Sequence, residues 1–295
     1  MIPTAPPAPQ LDLTFAPDSA GISRLVRRRV RYPYTFLKPF WFGDRPEGIA
    51  TAILQSGSGG LFGGERLAQR ILLQPGAALH LTTQAAAIVH ARRAAAAVEQ
   101  RVDLQLAPGS FLEYLPEPML LFPDAGLEQR ISVRLDPAAV LLLGDGVVAH
   151  DPDGDGPHGA GAAGDRPFGL FRGLLEVRLP DGRLLFADRT AVTGAGYDRA
   201  LAGGGMRRRG CGWFALVAPA EGDRHPMLKA ALQAALDALP ADGRIQAAAA
   251  ELPNGAGLWC RIAAQGGGDL RTALRACWAA TRLALTGAPA PRNRK

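Results

Sequence analysis

The feature that most constrains the fold is a series of short segments between residues 49 and 192 in which apolar and polar side chains alternate. A period of two places one face of a β-strand in a core and the other toward solvent. The clearest segments are residues 49–55, 67–73, 79–83, 98–106 and 127–135. Turn sequences separate them, namely Q-P-G-A at 74–77, A-P-G-S at 107–110 and L-P-D-G-R at 179–183. Many short strands separated by such turns predict a mainly β body.

The last third of the chain has a different pattern. Residues 226–239 and 269–285 carry Ala and Leu at helical spacing, and Pro240 follows the first of these segments. Asp269 is a candidate N-cap of the second helix, and Gly287 is a candidate stop. Two further strands are predicted at 244–251 and 258–264. We therefore expect two helices near the C-terminus, with no linker that marks a second domain.

These patterns predict one body with short flanking segments. Residues 1–23 are expected to be a flexible Pro-rich N-terminus, residues 24–290 a single domain, and residues 291–295 a basic disordered tail. With 47% hydrophobic and 20% charged residues, the composition is that of a soluble globular protein. The start has no basic residue before an apolar run, and no apolar run of about 18 residues follows. We expect a cytoplasmic location and no membrane contact.

Charge and cysteine content narrow the function classes. The basic clusters at 27–29 and 207–209 lack interleaved aromatic residues, so nucleic-acid binding is not expected. Cys211, Cys260 and Cys277 are far apart and form no C-x-x-C pair, which disfavours a disulfide framework and a thiolate zinc site. They are interpreted as small buried hydrophobic residues.

No local motif supports catalysis. The glycine-rich segment 57–65 has Glu65 near the position where a phosphate-binding loop needs Lys, and no G-x-S-x-G sequence occurs. None of the five histidines forms an H-x-x-x-H or H-E-x-x-H pair. His90 and His150 are the histidines most open to function, the latter because Asp151 follows it.

Three blocks carry a resemblance to a known family. Residues 59–67 read G-G-L-F-G-G-E-R-L and resemble the pattern G-G-(L/V)-x-x-G-D-x-L, with Glu65 in place of the usual aspartate. Residues 81–90, L-T-T-Q-A-A-A-I-V-H, are similar to L-T-T-Q-A-(A/S)-T-x-(V/I)-x. Residues 112–122, L-E-Y-L-P-E-P-M-L-L-F, are similar to L-E-(W/Y)-L-P-(D/Q)-(P/E)-x-I-x-F. The chain thus resembles the UreD (UreH) family of urease accessory proteins.

The resemblance covers residues 27–292, although the Gly- and Asp-rich region 147–168 departs from the family pattern. It implies an irregular helical stack of β-strands with two α-helices near the C-terminus. The implied role is a non-enzymatic scaffold that binds apo-urease and the accessory protein UreF. Through UreF it would recruit the GTPase UreG, so that GTP hydrolysis drives nickel insertion. No cofactor is expected to bind tightly, and nickel would pass through only transiently.

The resemblance also implies an internal passage lined by weak ligands, because tight binding would trap the ion. The candidate nickel contacts are Glu65, Glu113, Glu117, His90 and Asp145. For Glu113 the structural alternative is a strand residue that faces solvent or caps a turn. Two other functions stay open: a β-rich metal- or carbohydrate-binding hydrolase, and a purely structural assembly protein without metal contact. Converging carboxylates in a cleft would favour the hydrolase, and an apolar surface over the C-terminal helices would favour a docking scaffold.

Overall fold

A computed structural model describes residues 8–43, 45–93, 95–150, 168–203, 206–207 and 209–291. The strands are β1 (Leu11–Pro17), β2 (Ser23–Val30), β3 (Tyr34–Phe36), β4 (Ala50–Ser56), β5 (Arg66–Leu73), β6 (Ala78–Thr83), β7 (Ile88–Val89), β8 (Val98–Leu106), β9 (Phe111–Leu115), β10 (Met119–Leu121), β11 (Gly126–Leu135), β12 (Val140–Ala149), β13 (Leu170–Arg178), β14 (Leu184–Thr193), β15 (Ala202–Gly203), β16 (Met206–Arg207), β17 (Gly210–Val217), β18 (Ile245–Glu251) and β19 (Gly257–Ala264). The helices are α1 (Gly194–Leu201), α2 (His225–Asp237) and α3 (Gly267–Thr286), with short 3-10 turns at Pro219–Arg224 and Pro253–Gly255.

From β4 to β13 the long strands alternate between two sheets, so the chain winds as a coil. The first sheet has the order β14-β13-β11-β8-β5-β1-β2, and its central strands from β1 to β13 are parallel. The second has the order β18-β19-β17-β12-β9-β6-β4-β3, with a parallel set from β4 to β12. Each turn of the coil therefore adds one parallel strand to each sheet, and the expected helical stack of strands is confirmed.

The main core lies between the sheets. Adjacent parallel strands are in register, so inward positions form rows across the first sheet; one row contains Leu13, Ile71, Leu104, Val133 and Val177. All five side chains are buried. Each such apolar side chain stabilises the fold by roughly 1.5–3 kcal/mol relative to exposure. The period-two pattern of the sequence thus produces the rows directly.

The predicted strands are confirmed with small shifts of their ends, but the prediction for the N-terminus is wrong in part. Residues 1–7 lie outside the described residues, whereas Leu11–Pro17 forms strand β1 between β2 and β5. Leu11, Leu13 and Phe15 are fully buried. This segment is ordered because its alternating apolar side chains complete the core rows. The prolines that precede it do not prevent strand formation. Residues 292–295 of the predicted tail also lie outside the described range.

Both predicted C-terminal helices are present as α2 and α3, and they pack against the second sheet and each other. Gly287 ends α3 in a left-handed conformation with φ +70°, as predicted. The predicted Asp269 cap is wrong, because Gly266 is the N-cap and Asp269 lies in the first turn. Asp269 instead forms an ion pair with Arg244. The short helix α1 was not predicted. In the described parts of the chain no helix is long and apolar enough to cross a membrane.

Candidate functional site

A row of polar side chains lies between the two sheets, in a core that is otherwise apolar. Tyr114 donates its hydroxyl to Gln69 at 3.2 Å, and the Gln69 amide donates to the Tyr34 hydroxyl at 3.0 Å. Gln129 donates to Gln100 at 3.2 Å. A hydrogen bond between Tyr34 and Gln100 joins the chain of three residues and the pair of glutamines into one row. Burial raises the pKa of Tyr34 to about 12, so the row is neutral at physiological pH.

Asp145 lies at the end of this row. It sits on β12 opposite Trp213 of β17, and it is 3% exposed. Burial raises its pKa to about 6, while hydrogen bonds from the Gly146 N–H and the Gln129 side chain oppose the rise. Within the described residues Asp145 has no ion-pair partner. A buried carboxylate without a fixed counter-charge is costly for the fold and is a typical feature of functional sites.

Two glycines allow the backbone around Asp145 to pack closely. A Cβ at Gly146 would lie 2.9 Å from Leu270 Cδ2 and 3.0 Å from the Cys211 carbonyl oxygen. A Cβ at Gly212 would lie 2.8 Å from the carbonyl oxygen of Asp145. Helix α3 therefore rests directly on β12 and β17 next to the site. The G-D-G sequence at 144–146 is explained by this close approach.

A cavity of about 240 Å³ opens beside Asp145. Its wall includes Gln129 of the polar row, the half-buried Cys211, Trp213, and the ion pair between Arg261 and Asp188. Burial raises the pKa of Cys211, so this thiol is protonated at neutral pH. The cavity thus offers the carboxylate of Asp145, the thiol of Cys211 and the amide of Gln129, while the carboxylate of Asp188 is paired with Arg261.

A groove of about 410 Å³ lies next to this cavity. The two share Gln129, Gly173, Leu174 and Thr190 as lining residues. The groove is also lined by charged side chains from the ends of the strands of the first sheet, namely Glu99, Arg101, Glu128, Arg130, Arg172 and Arg189. The groove and the cavity are therefore neighbours, with Gln129 of the polar row in the wall between them.

Glu113 is buried, and its charge is compensated by two groups. Its Oε1 accepts from Arg282 Nη1 at 2.5 Å, and its Oε2 lies 2.7 Å from His80 Nδ1. Burial by itself raises the pKa of Glu113, but the bond to His80 and the charges of His80 and Arg282 outweigh it, so the pKa lies below its ordinary value. Glu113 therefore neither faces solvent nor caps a turn, and both of its oxygens are already occupied.

The other two predicted glutamates also have defined structural partners. Glu117 Oε2 lies 3.7 Å from Arg271 Nε on α3. Glu65 accepts a hydrogen bond from the Phe62 N–H at 3.0 Å and so closes the glycine-rich turn before β5. The structure does not bring Glu65, Glu113 and Glu117 together with Asp145 into one cluster. Among the described residues there is no group of three or more His, Cys, Asp or Glu side chains placed to hold a metal.

His90 lies in a stack of rings apart from Asp145. It stacks on Phe62 with centroids 4.5 Å apart and meets Phe122 edge-on at 5.5 Å, and Phe122 in turn stacks on His150 at 4.2 Å. His90 Nε2 lies 3.1 Å from the Gly59 carbonyl oxygen. Asp151, the suggested partner of His150, lies outside the described residues.

The sequence did not point to Gln69, Gln100 and Gln129, or to Arg282. The signal for the glutamines was that Gln69 and Gln100 occupy positions in β5 and β8 where the period of two places apolar side chains. Arg282 had no local signal, because its partner Glu113 is 169 residues away.

The fold and this site define a β-coil scaffold with a buried polar row, an internal cavity and two helices against one sheet. Residues 8–295 match the family model described as UreD urease accessory protein. "Urease accessory protein UreD 1" of Pseudomonas syringae pv. tomato is 36% identical over 96% of this chain and 94% of its own length. "Urease accessory protein UreD 2" of Bradyrhizobium sp. is 36% identical over 98% and 95%, and "Urease accessory protein UreD 1" of Methylorubrum populi is 33% identical over 97% and 91%.

The chain belongs to the UreD family of urease accessory proteins. The resemblance inferred from the three sequence blocks is confirmed. Its relatives are named accessory proteins rather than enzymes.

Proposed function

We propose that this protein is a non-enzymatic, cytoplasmic scaffold in the maturation of urease. It binds apo-urease and the accessory protein UreF, and through UreF it recruits the GTPase UreG for nickel insertion. Family membership supports this role. Exposed apolar side chains on the C-terminal helices, Met227 on α2 and Leu283 on α3, fit a docking surface for a protein partner.

The observation that carries the metal part of the proposal is the polar row ending at Asp145. Nickel is held by carboxylate, imidazole, thiol and amide groups, and a passage must bind it weakly to release it. One buried carboxylate beside amide oxygens and a protonated thiol meets that condition. Asp145 is thus the transient ligand.

The remaining candidate contacts have lesser roles. Nickel at Glu113 or Glu117 would first have to displace Arg282 or Arg271, and at Glu65 it would open the glycine-rich turn. His90 lies outside the polar row and would act only as a contact near the surface. No tightly bound cofactor is part of the proposal.

The test is urease activity and nickel content in cells that carry the urease genes with or without this chain. The proposal requires normal urease protein, low nickel per urease and low activity when the chain is absent. UreF should co-purify with the chain, and UreG only when UreF is present. Full activity without the chain, and no UreF bound, would contradict the scaffold role.

Substitution of single carboxylates distinguishes the proposed scaffold role from the proposed passage of nickel at Asp145. Asp145→Asn keeps the shape of the side chain and removes its charge, so UreF binding should persist while nickel per urease falls. Asp181→Asn, in the exposed turn between β13 and β14, removes one carboxylate without touching the polar row. If the two variants support equal nickel insertion, the chain is a structural assembly protein without metal contact at Asp145.

A hydrolase remains the second candidate because Asp145 and Asp188 line the same cavity and the pKa of Asp145 is about 6. Such a carboxyl can act as a general acid near neutral pH. Asp188, however, is paired with Arg261. Hydrolysis of nitrophenyl glycosides by the purified chain, abolished by Asp145→Asn, would favour this function over the scaffold.

A further inference from the structure

Helix α3 carries a stripe of cationic and aromatic side chains. Residues spaced by four, seven and eleven positions lie on one face of a helix. This face of α3 contains Arg271, Arg275, Trp278 and Arg282. Arg282, at the C-terminal end of the stripe, donates Nη1 to Glu113 and Nη2 to the carbonyl oxygen of Arg45.

Arg275, in the middle of the stripe, has no such partner. It is exposed, and within the described part of the chain it forms no ion pair or hydrogen bond. Its neighbour Arg271, whose side chain is 60% exposed, lies 3.7 Å from Glu117, which is a long distance for an ion pair. Two like charges four residues apart repel each other, which favours an additional anion between them.

A small cavity lies against Arg275. Its volume is about 90 Å³, and its wall includes His80, Thr82, Leu115 and Trp278. About 10–15 Å³ of such volume is enough for one water molecule, so the cavity has room for a carboxylate group.

Two further nitrogen groups line the cavity wall. His80 Nδ1 faces Glu113 at 2.7 Å, which leaves Nε2 without a hydrogen bond in the described residues. The Trp278 ring stacks on His80 with centroids 5.1 Å apart, and its buried Nε1–H faces Glu113. Of these two rings, His80 is therefore the one whose Nε2 remains available to a ligand.

The fixed charges around the cavity favour an anion over a cation. Arg271, Arg275 and Arg282 face only two carboxylates, Glu113 and Glu117, so these five side chains leave one net positive charge. The planar guanidinium of an arginine matches a carboxylate in two parallel hydrogen bonds. The cavity beside α3 is thus electrostatically opposite to the one beside Asp145.

We propose that the cavity between α3 and the ends of β6 and β9 binds a carboxylate group, with Arg275 as its main ligand. Arg271 contributes by its charge, and Trp278 closes one wall. The carboxylate belongs either to a small free acid or to an acidic side chain on a peptide segment of a partner. This binding site is independent of the nickel passage and of the proposed role in urease maturation.

The test follows the indole N–H resonance of Trp278 by NMR in the full chain, assigned through Trp278→Phe. Sodium acetate should shift it in a saturable manner with a Kd of about a millimolar, and sodium chloride at the same ionic strength should not. A capped tripeptide with a central aspartate tests the second source of the carboxylate. A shift with acetate and none with the tripeptide assigns the site to small acids. A shift with acetate and with the tripeptide shows that the site also accepts an acidic side chain.

Two variants test the assigned ligand. Arg275→Gln should weaken acetate binding at least about tenfold, whereas Arg134→Gln, which removes an exposed arginine on β11, should leave it unchanged. Unchanged thermal melting of both variants confirms that they fold. No acetate-specific shift, or equal binding in the two variants, would overturn the proposal. Broadening of the Trp278 resonance by substoichiometric Ni²⁺ would likewise overturn it, because the cavity would then admit a cation.

Discussion

Arg282 of α3 reaches into the chain to donate Nη1 to Glu113 Oε1 on β9 at 2.5 Å, and both side chains are almost completely buried. This ion pair joins the C-terminal helix to the β-coil. Each of the two charges compensates the other, because either charge alone would be costly to bury in the interior.

Removal of one partner of this pair should destabilise the protein strongly. Arg282→Met leaves Glu113 with His80 alone and should lower the free energy of unfolding by about 3–5 kcal/mol. Urea unfolding followed by circular dichroism measures the loss.

The control for this prediction is a more exposed ion pair that joins the same helix to the segment before β18. Arg244→Met removes the partner of Asp269 and should cost less than about 1 kcal/mol. The double variant Arg282→Met and Glu113→Leu should recover much of the loss of the single variant. Equal losses in Arg282→Met and Arg244→Met would show that the buried charge of Glu113 is not the cause.

Asp145 should make stability depend on pH. Its pKa rises from 3.8 in the unfolded chain to about 6 in the fold, so between these values the folded state binds more protons. The free energy of unfolding therefore falls as pH rises through this window, by about 3 kcal/mol in all. Asp145→Asn should remove this fall and be more stable than the parent above pH 6. Urea unfolding from pH 4 to pH 8 measures how the free energy of unfolding depends on pH in the parent protein and in Asp145→Asn.

The exposed carboxylate of Asp181 is the matched control for that series. Asp181→Asn should keep the slope of the parent protein. A parent slope retained in Asp145→Asn would assign the pH dependence to another group.

Strand β1 should be essential for stability although it lies in the segment expected to be flexible. Leu13 is fully buried in a core row, so Leu13→Ala should cost about 2–5 kcal/mol. Val26→Ala on the neighbouring edge strand, where the side chain is 60% exposed, should cost less than about 0.5 kcal/mol. Chemical denaturation of the two variants makes the comparison, and similar small losses would mean that β1 is not part of the stable core in solution.

The three thiols should differ in reactivity. Cys260 and Cys277 are fully buried with their sulfurs 3.8 Å apart, whereas Cys211 is half-buried at the cavity beside Asp145. The bond to Cys260, together with burial, raises the pKa of Cys277, so its reactive thiolate is scarce. Maleimide labelling of the native protein, read by mass spectrometry, should modify Cys211 first. In Cys211→Ala, rapid native labelling of the remaining pair would contradict this order.

The local sequence pattern was sufficient to predict most strands of the β-coil. The strands at 67–73, 98–106 and 127–135 were predicted because alternation and turn residues act within a few positions of each other. Strand β1 was missed because its place depends on β5, which lies more than fifty residues later and supplies its hydrogen bonds. The Asp269 cap was misplaced because α3 begins at the preceding glycines.

The sequence by itself determined the strand pattern, the two C-terminal helices and, through three short blocks, the family. Only the tertiary structure decided what each carboxylate does. It buried Glu113 against an arginine 169 residues away, and it placed Asp145 at the end of a row of amides and phenols with no counter-charge among the described residues. The physical reason is that strand periodicity is a property of neighbouring residues. The energy of a buried charge depends instead on groups that meet only when the two sheets and α3 pack together.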